Sequence, residues 1–239
     1  MADAGPRIVV ALDVVSGREA QALAAQLDPG LCRLKVGLEL YTACGPSLIE
    51  VLQGRGFEIF LDLKFHDIPN TVGRAVRAAA ALGVWMLNVH GLGGRRMLEA
   101  ARAGLDGSGT LKPRPHLMAV TVLTSHAAAE LSEVGLPDDP GVLAERLARL
   151  VAATGLDGVV CSPHEAQRLR DALGPAFLLI TPGIRSAQDR PDDQRRTATV
   201  AQALGAGADY VVVGRPITAS ADPAAALARF VAEARSVLG

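Results

Sequence analysis

A closed (β/α)8 barrel, α/β in class and built as a single domain, is the architecture this sequence predicts, and three observations predict it. Short β-branched runs alternate eight times with Ala/Leu-rich stretches of helical period. The strand-like runs are almost continuously apolar, as expected of a parallel sheet covered on both faces. The 239 residues contain no linker, low-complexity tract or change of composition that would divide 1–239 into two domains, and the length suits one α/β barrel. Eight units of one kind favour closure over an open, doubly wound sheet.

The units follow in order. The first joins an apolar run at 8–12 to a helical pattern at 17–27; the second joins 31–36 to 41–53; the third joins 58–63 to 72–82. In the fourth, 86–89 leads to 95–103. A Gly-, Ser- and Pro-rich stretch over 104–115 then enters the next strand from the bottom of the barrel, where it reads as a tolerated surface insertion. The fifth strand, 116–122, precedes a helix at 141–153, and the sixth, 158–161, one at 164–173. After the seventh, 177–180, come thirteen mostly polar and charged residues, 185–197, on the face where barrel active sites are built. They are a lid candidate, and a helix at 199–204 follows. The eighth unit joins 210–213 to 223–237.

Composition narrows the function classes. The net charge is −1 and no long basic or acidic block occurs, so neither nucleic acid nor an anionic membrane surface is an implied partner. The opening Met1-Ala-Asp-Ala-Gly-Pro-Arg7 lacks the apolar core of a signal peptide, and no apolar run is long enough to span a bilayer. Cys32, Cys44 and Cys161 are widely spaced, without a CxxC pair, which fits a reduced, cytoplasmic protein. Each reads as a small buried hydrophobe rather than a nucleophile.

Polar residues gather where the strands end. Asp13 closes the first, Lys35 lies in the second, and His90 closes the fourth; Thr124 and Ser125 follow the fifth and Ser162 the sixth. The third ends in Phe60-Leu-Asp-Leu-Lys-Phe-His-Asp-Ile-Pro-Asn-Thr71. Alternate strand residues share a face, so Asp62 and Lys64 project together. Charges at the mouth of a buried strand are costly to desolvate unless paired, and a core has no need of them there. Convergence on one rim marks a site.

Pro182-Gly-Ile-Arg185 and Gly214-Arg215 supply a second signal, since loops after strands seven and eight of such barrels often bind phosphate. Glycines permit close backbone approach and arginines add charge; the alternative is two tight strand exits with solvated arginines. Gly91-Leu-Gly-Gly94 lacks the glycine spacing of a dinucleotide loop. The five histidines show no metal-ligand spacing, and His90 fits a packed rim or subunit contact as well as a ligand or acid. A divalent metal on Asp13, Asp62 and Asp67 is compatible with composition alone; Lys35 and Lys64 argue against it by balancing the carboxylates.

These residues together resemble orotidine 5′-monophosphate decarboxylases of the compact bacterial type. Asp62-x-Lys64-x-x-Asp67-Ile68-x-x-Thr71 is similar to the family signature. Ala11-Leu-Asp13, Leu34-Lys-Val-Gly37, Val122-Leu-Thr-Ser125, Thr181-Pro-Gly-Ile-Arg185, Asp193-Gln-Arg-Arg196 and Val213-Gly-Arg-Pro216 are similar to its other landmarks, in order along essentially the whole chain. The resemblance implies a lyase that converts orotidine 5′-monophosphate to uridine 5′-monophosphate in pyrimidine biosynthesis, with no metal and no organic cofactor. It implies a cytoplasmic homodimer in which Asp67 and Thr71 reach into the partner's site. It implies a catalytic array of Lys35, Asp62, Lys64 and Asp67, with Lys64 stabilising and protonating a C6 carbanion and Asp62 beside the substrate carboxylate. Asp13 and Lys35 are implied at the ribose and Thr124 and Ser125 at the pyrimidine. Arg185, Gln194, Gly214 and Arg215 are implied at the phosphate, and Pro182 is counted with the substrate-binding residues. Magnesium-dependent sugar-phosphate barrels share the Asp-x-Lys-x-x-Asp core, but the Asp67-Ile-Pro-Asn-Thr71 continuation, the Leu-Thr-Ser loop and Gln194 favour the pyrimidine enzyme. A non-catalytic nucleotide-binding protein is the alternative of another class, against which intact Asp62, Lys64 and Asp67 speak.

Overall fold

Eight parallel strands close on themselves in the computed structural model, which describes residues 5–107, 113–185 and 197–238. They are β1 (Ile8–Ala11), β2 (Cys32–Gly37), β3 (Ile59–Phe65), β4 (Met86–His90), β5 (His116–Val120), β6 (Gly158–Val160), β7 (Leu178–Thr181) and β8 (Tyr210–Val213). Each pairs with its sequence neighbour, and β8 closes the ring on β1 through Val9 opposite Val212. The helices are α1 (Gly17–Ala24), α2 (Leu38–Cys44), α3 (Pro46–Gln53), α4 (Pro69–Ala80), α5 (Gly94–Asp106), α6 (Ala128–Glu133), α7 (Pro140–Ala153), α8 (Pro163–Leu173), α9 (Val200–Gly205), α10 (Arg215–Thr218) and α11 (Pro223–Leu238). The predicted barrel is therefore the observed one.

Period-2 alternation explains why the strands are apolar throughout. Val9, Phe60, Met86, Met118, Ile180 and Val212 fill the barrel, while Val10, Leu34, Leu61, Leu87, Leu117 and Val211 pack outward beneath the helices. The lower end is closed by Arg33, 1% exposed, whose guanidinium lies 4.0 Å from the centre of the Trp85 ring. It pairs with Glu58 at 2.7 Å and donates to the Pro6 carbonyl, so the charge is matched where it is buried and the strap before β1 is tied down.

Three departures from the expected elements have local causes. The helix expected over 41–53 is broken: Gly45, at φ 66, ends α2, and Pro46 opens α3 with its fixed φ and missing N–H. The β5–α7 connection carries α6, whose Leu131 packs with Val122, Leu143 and Leu147 in a small apolar cluster. A short α10 follows Gly214 directly. Elsewhere α4 and α5 meet backbone to backbone. A Cβ on Gly104 would sit 2.1 Å from the Gly73 carbonyl oxygen.

Candidate active site

The site is built outward from β3. Its ladder with β2 sets Lys35 opposite Phe60 and Gly37 opposite Asp62, so the inward-facing Lys35 lies beside Asp62 across one strand gap. The ladder with β4 is irregular. Phe60 and Leu61 face Met86 and Leu87, but the next partnership is Phe65 with Val89, so four steps on β3 span two on β4. Lys64 takes up the excess at φ 49, the one non-glycine with positive φ among the described residues. Asp62 and Lys64 do share the pocket, as alternation predicted, yet a bulge rather than a regular strand aims the lysine.

The resulting ion pairs are close. Lys64 Nζ donates to Asp62 Oδ1 at 2.7 Å, while Lys35 Nζ lies 3.3 Å from Asp62 Oδ2 and 3.3 Å from Asp13 Oδ1. Asn88, buried on β4 between Met86 and His90, also donates to Asp62 Oδ1, at 2.7 Å. Burial alone raises the Asp62 pKa, but Lys35, Lys64 and the donated hydrogen bonds outweigh it and hold the carboxyl below its ordinary range. Burial likewise opposes the Lys35 charge, and the carboxylates of Asp62 and Asp13 raise its pKa above the ordinary lysine value.

Above this array opens a cavity of about 270 Å³ at the carboxyl ends of the strands. Phe60, Val120, Val160 and Val212 form its apolar floor, and Asp13, Lys35, Asp62 and Lys64 one wall. Thr124 and Ser125 line it from the loop after β5, Pro182 and Arg185 from the loop after β7, and Gly214 and Arg215 from the end of β8. Gly183, at φ 78, makes the turn out of β7 that a side chain would strain. Arg185 N–H donates to the Ala198 carbonyl at 2.9 Å, joining the two ends of the expected lid. Gln194 and the rest of 186–196 lie outside the described residues.

Asp67 and Thr71 do not line this cavity. Asp67 is exposed, its carboxylate accepting the Ile68 N–H at 2.6 Å, and Thr71 is half-buried at the start of α4. His90 stacks on His66, ring centres 5.5 Å apart, and its Nδ1 accepts the Leu92 N–H. Burial, then the neighbouring His66, Lys64 and His126, push the His90 pKa down to about 4. It is therefore neutral near pH 7. Burial raises the Cys32 thiol to about 12, which removes it as a nucleophile. Sequence reading missed Asn88, whose one signal is an amide interrupting the apolar run Met86-Leu-Asn-Val89. Among the described residues, no helix is long and apolar enough to cross a membrane.

Comparison with known proteins gives a consistent family and fold. The model of the orotidine 5'-phosphate decarboxylase / HUMPS family matches residues 6–230. An orotidine 5'-phosphate decarboxylase of Halorhodospira halophila is 59% identical over 228 residues, covering 95% of this chain and 95% of that protein. One of Nitrosospira multiformis is 58% identical over 224 residues, covering 94% of this chain and 92% of that protein. The crystal structure of orotidine 5'-phosphate decarboxylase from Lactobacillus acidophilus superposes with a TM-score of 0.85 at 36% identity, covering 96% of this chain and 99% of that one.

Proposed function

The chain belongs to the orotidine 5'-phosphate decarboxylase / HUMPS family, and from that premise we propose that it is the enzyme converting orotidine 5′-monophosphate to uridine 5′-monophosphate and carbon dioxide, the last step of UMP synthesis. The observation that carries this reading is the Lys35–Asp62–Lys64 array on the wall of a cavity whose far rim carries Arg185 and Arg215.

The chemistry asks for such an array. When the C6–carboxylate bond breaks, its electron pair stays on C6 in an sp² orbital that the ring does not delocalise. The Lys64 ammonium stabilises that pair and gives C6 a proton; carbon dioxide leaves, and the neutral amine regains a proton from solvent. The array forms at folding, so little reorganisation accompanies reaction. Asp62 lies beside the substrate carboxylate. Two unit charges about 4 Å apart at an effective dielectric near 20 repel by about 4 kcal/mol. That is roughly a thousandfold in rate, short of the accelerations slow reactions require. Carbanion stabilisation and binding energy from the remote phosphate, held by Arg185, Gln194, Gly214 and Arg215, supply the larger share. Asp13 and Lys35 hold the ribose, and Thr124, Ser125 and Pro182 border the base. Asp62 Oδ1 receives Lys64 and Asn88 while Oδ2 faces Lys35, a donor set that favours the metal-independent branch of the family over a magnesium site.

The same reading makes the enzyme a cytoplasmic homodimer of one barrel domain, residues 1–239, with Asp67 and Thr71 completing the partner's site and the Lys–Asp alternation. Val15, Leu38, Ile68 and Leu92, each exposed on the loops and helix starts after β1 to β4, support it, because exposed apolar side chains at this end of the barrel suit a subunit contact. The test is Lys64→Ala. Turnover falls by at least about a thousandfold while uridine 5′-monophosphate binding, measured calorimetrically, is largely kept. Turnover near the wild-type rate removes Lys64 as proton donor.

A further inference from the structure

We infer that Asn88 is a positioning residue for the decarboxylation, a side-chain clamp that holds the Lys64 backbone in its left-handed conformation and fixes the rotation of the Asp62 carboxylate. The inference rests on the function proposed above. Across the bulge, Asn88 is the one β4 residue between the partnered Leu87 and Val89, facing the β3 residues 62–64 that have no ladder partner on β4. Its Oδ1 accepts the Lys64 backbone N–H at 2.8 Å, and its Nδ2 donates to Asp62 Oδ1 at 2.7 Å. The side chain thus takes the place of the missing strand partner and, with the same amide, orders the carboxylate that receives Lys64 Nζ.

Only a primary amide of this length meets both demands. Its oxygen must face the N–H and its nitrogen the carboxylate, so its orientation is fixed by its partners. Leucine of similar volume would leave a buried N–H unmet and strip a donor from Asp62. An ionised carboxylate would keep the N–H bond and repel Asp62. Asn88 is 0% exposed, so water does not substitute. Without the clamp, Lys64 loses the backbone hydrogen bond that offsets a conformation costly to a non-glycine residue, and relaxation towards extended values re-aims Nζ away from Asp62. Asn88 does not line the cavity, so its effect on substrate is exerted through Lys64 and Asp62.

The experiment compares wild type, Asn88→Leu and Asn88→Asp. Steady-state turnover of orotidine 5′-monophosphate is followed across pH, with melting temperature and hydrogen exchange of the Lys64 amide measured alongside. In N88L, loss of hydrogen bonds to charged and strained groups lowers kcat by roughly 10- to 100-fold, with KM changed far less because the ribose and phosphate contacts are untouched. The Lys64 amide exchanges faster. In N88D the introduced carboxyl donates to Asp62 only when protonated, so its activity optimum moves to lower pH; a merely structural role does not produce that shift. N88D keeps the shape and the N–H acceptor, so it decides the matter if N88L does not fold. Wild-type kcat in folded N88L, or an N88D pH profile superimposable on wild type, overturns the inference. An inactive wild type overturns the proposed function instead, and Lys64 amide exchange then still decides whether Asn88 holds the bulge.

Discussion

Lys35→Met removes one charge and keeps most of the stem. Lys35 Nζ lies 3.3 Å from both Asp13 Oδ1 and Asp62 Oδ2. At that separation and an effective dielectric near 20, each pair is worth about 5 kcal/mol before desolvation. The two are not equal in practice. The Asp13 side chain is 59% exposed, so water screens most of its share, whereas Asp62 is 10% exposed. Removing one partner of a buried pair costs about 3–5 kcal/mol, because the other charge stays buried. Lys64 and Asn88 still donate to Asp62 in the variant, which places the expected loss near the lower bound, about 3 kcal/mol at pH 7. For a chain of this size that lowers Tm by roughly 6–12 °C. The pH dependence follows from the Asp62 carboxyl, which native contacts hold low. In the wild type its stabilising contribution is full above the unfolded carboxylate value, about 3.9, and is lost as pH falls through the lower folded value. Without Lys35 that carboxyl titrates higher, so the gap between variant and wild type is widest at neutral pH and narrows as pH falls. Urea unfolding at pH 7 and at steps down to about pH 3, below the unfolded carboxylate value, reads both effects, and K35M/D62N should recover part of the loss. A K35M protein within about 1 kcal/mol of wild type, with a gap independent of pH, refutes the claim that Lys35 and Asp62 form a strongly coupled buried pair.

Other expectations concern the remaining parts of the site and the scaffold beneath it. Arg215→Ala should weaken use of orotidine 5′-monophosphate far more than reaction of the phosphate-free nucleoside; equal losses refute the phosphate assignment. Mixing inactive Lys64→Ala and Asp67→Asn chains should restore about a quarter of wild-type activity per site, since half the random dimers carry one intact composite site. No recovery on mixing places Asp67 in its own chain's site. Gly104→Ala should cost about 1–3 kcal/mol and lower Tm, because its Cβ would meet the Gly73 carbonyl at 2.1 Å and force α4 and α5 apart; an unchanged Tm shows that the helices yield freely.

The barrel was legible because its interior obeys rules of short range. Runs such as Ile8-Val-Val-Ala11 and Tyr210-Val-Val-Val213 face apolar surroundings on both sides, so every position carries the same signal. The convergence of Asp13, Lys35, Asp62 and Lys64 was legible because charges at the ends of such runs cost free energy to desolvate and add nothing to a core. Gly45-Pro46 carried its own warning of a helix break, obscured by the Leu-rich pattern on either side. Asn88 was not legible, since its partners lie 24 and 26 residues away on β3 and the bulge that creates its role arises only when the two strands pair. The burial of Arg33 was hidden for a similar reason: Trp85, Glu58 and Pro6 meet it only in the closed ring.

The most direct test of the account is turnover of orotidine 5′-monophosphate by the purified protein in excess EDTA, followed by the change in pyrimidine ultraviolet absorbance. Rapid, chelator-resistant conversion to uridine 5′-monophosphate is the predicted result. Folded protein that leaves the substrate unchanged, or converts it only when magnesium is restored, contradicts a reaction driven by the Lys35–Asp62–Lys64 array.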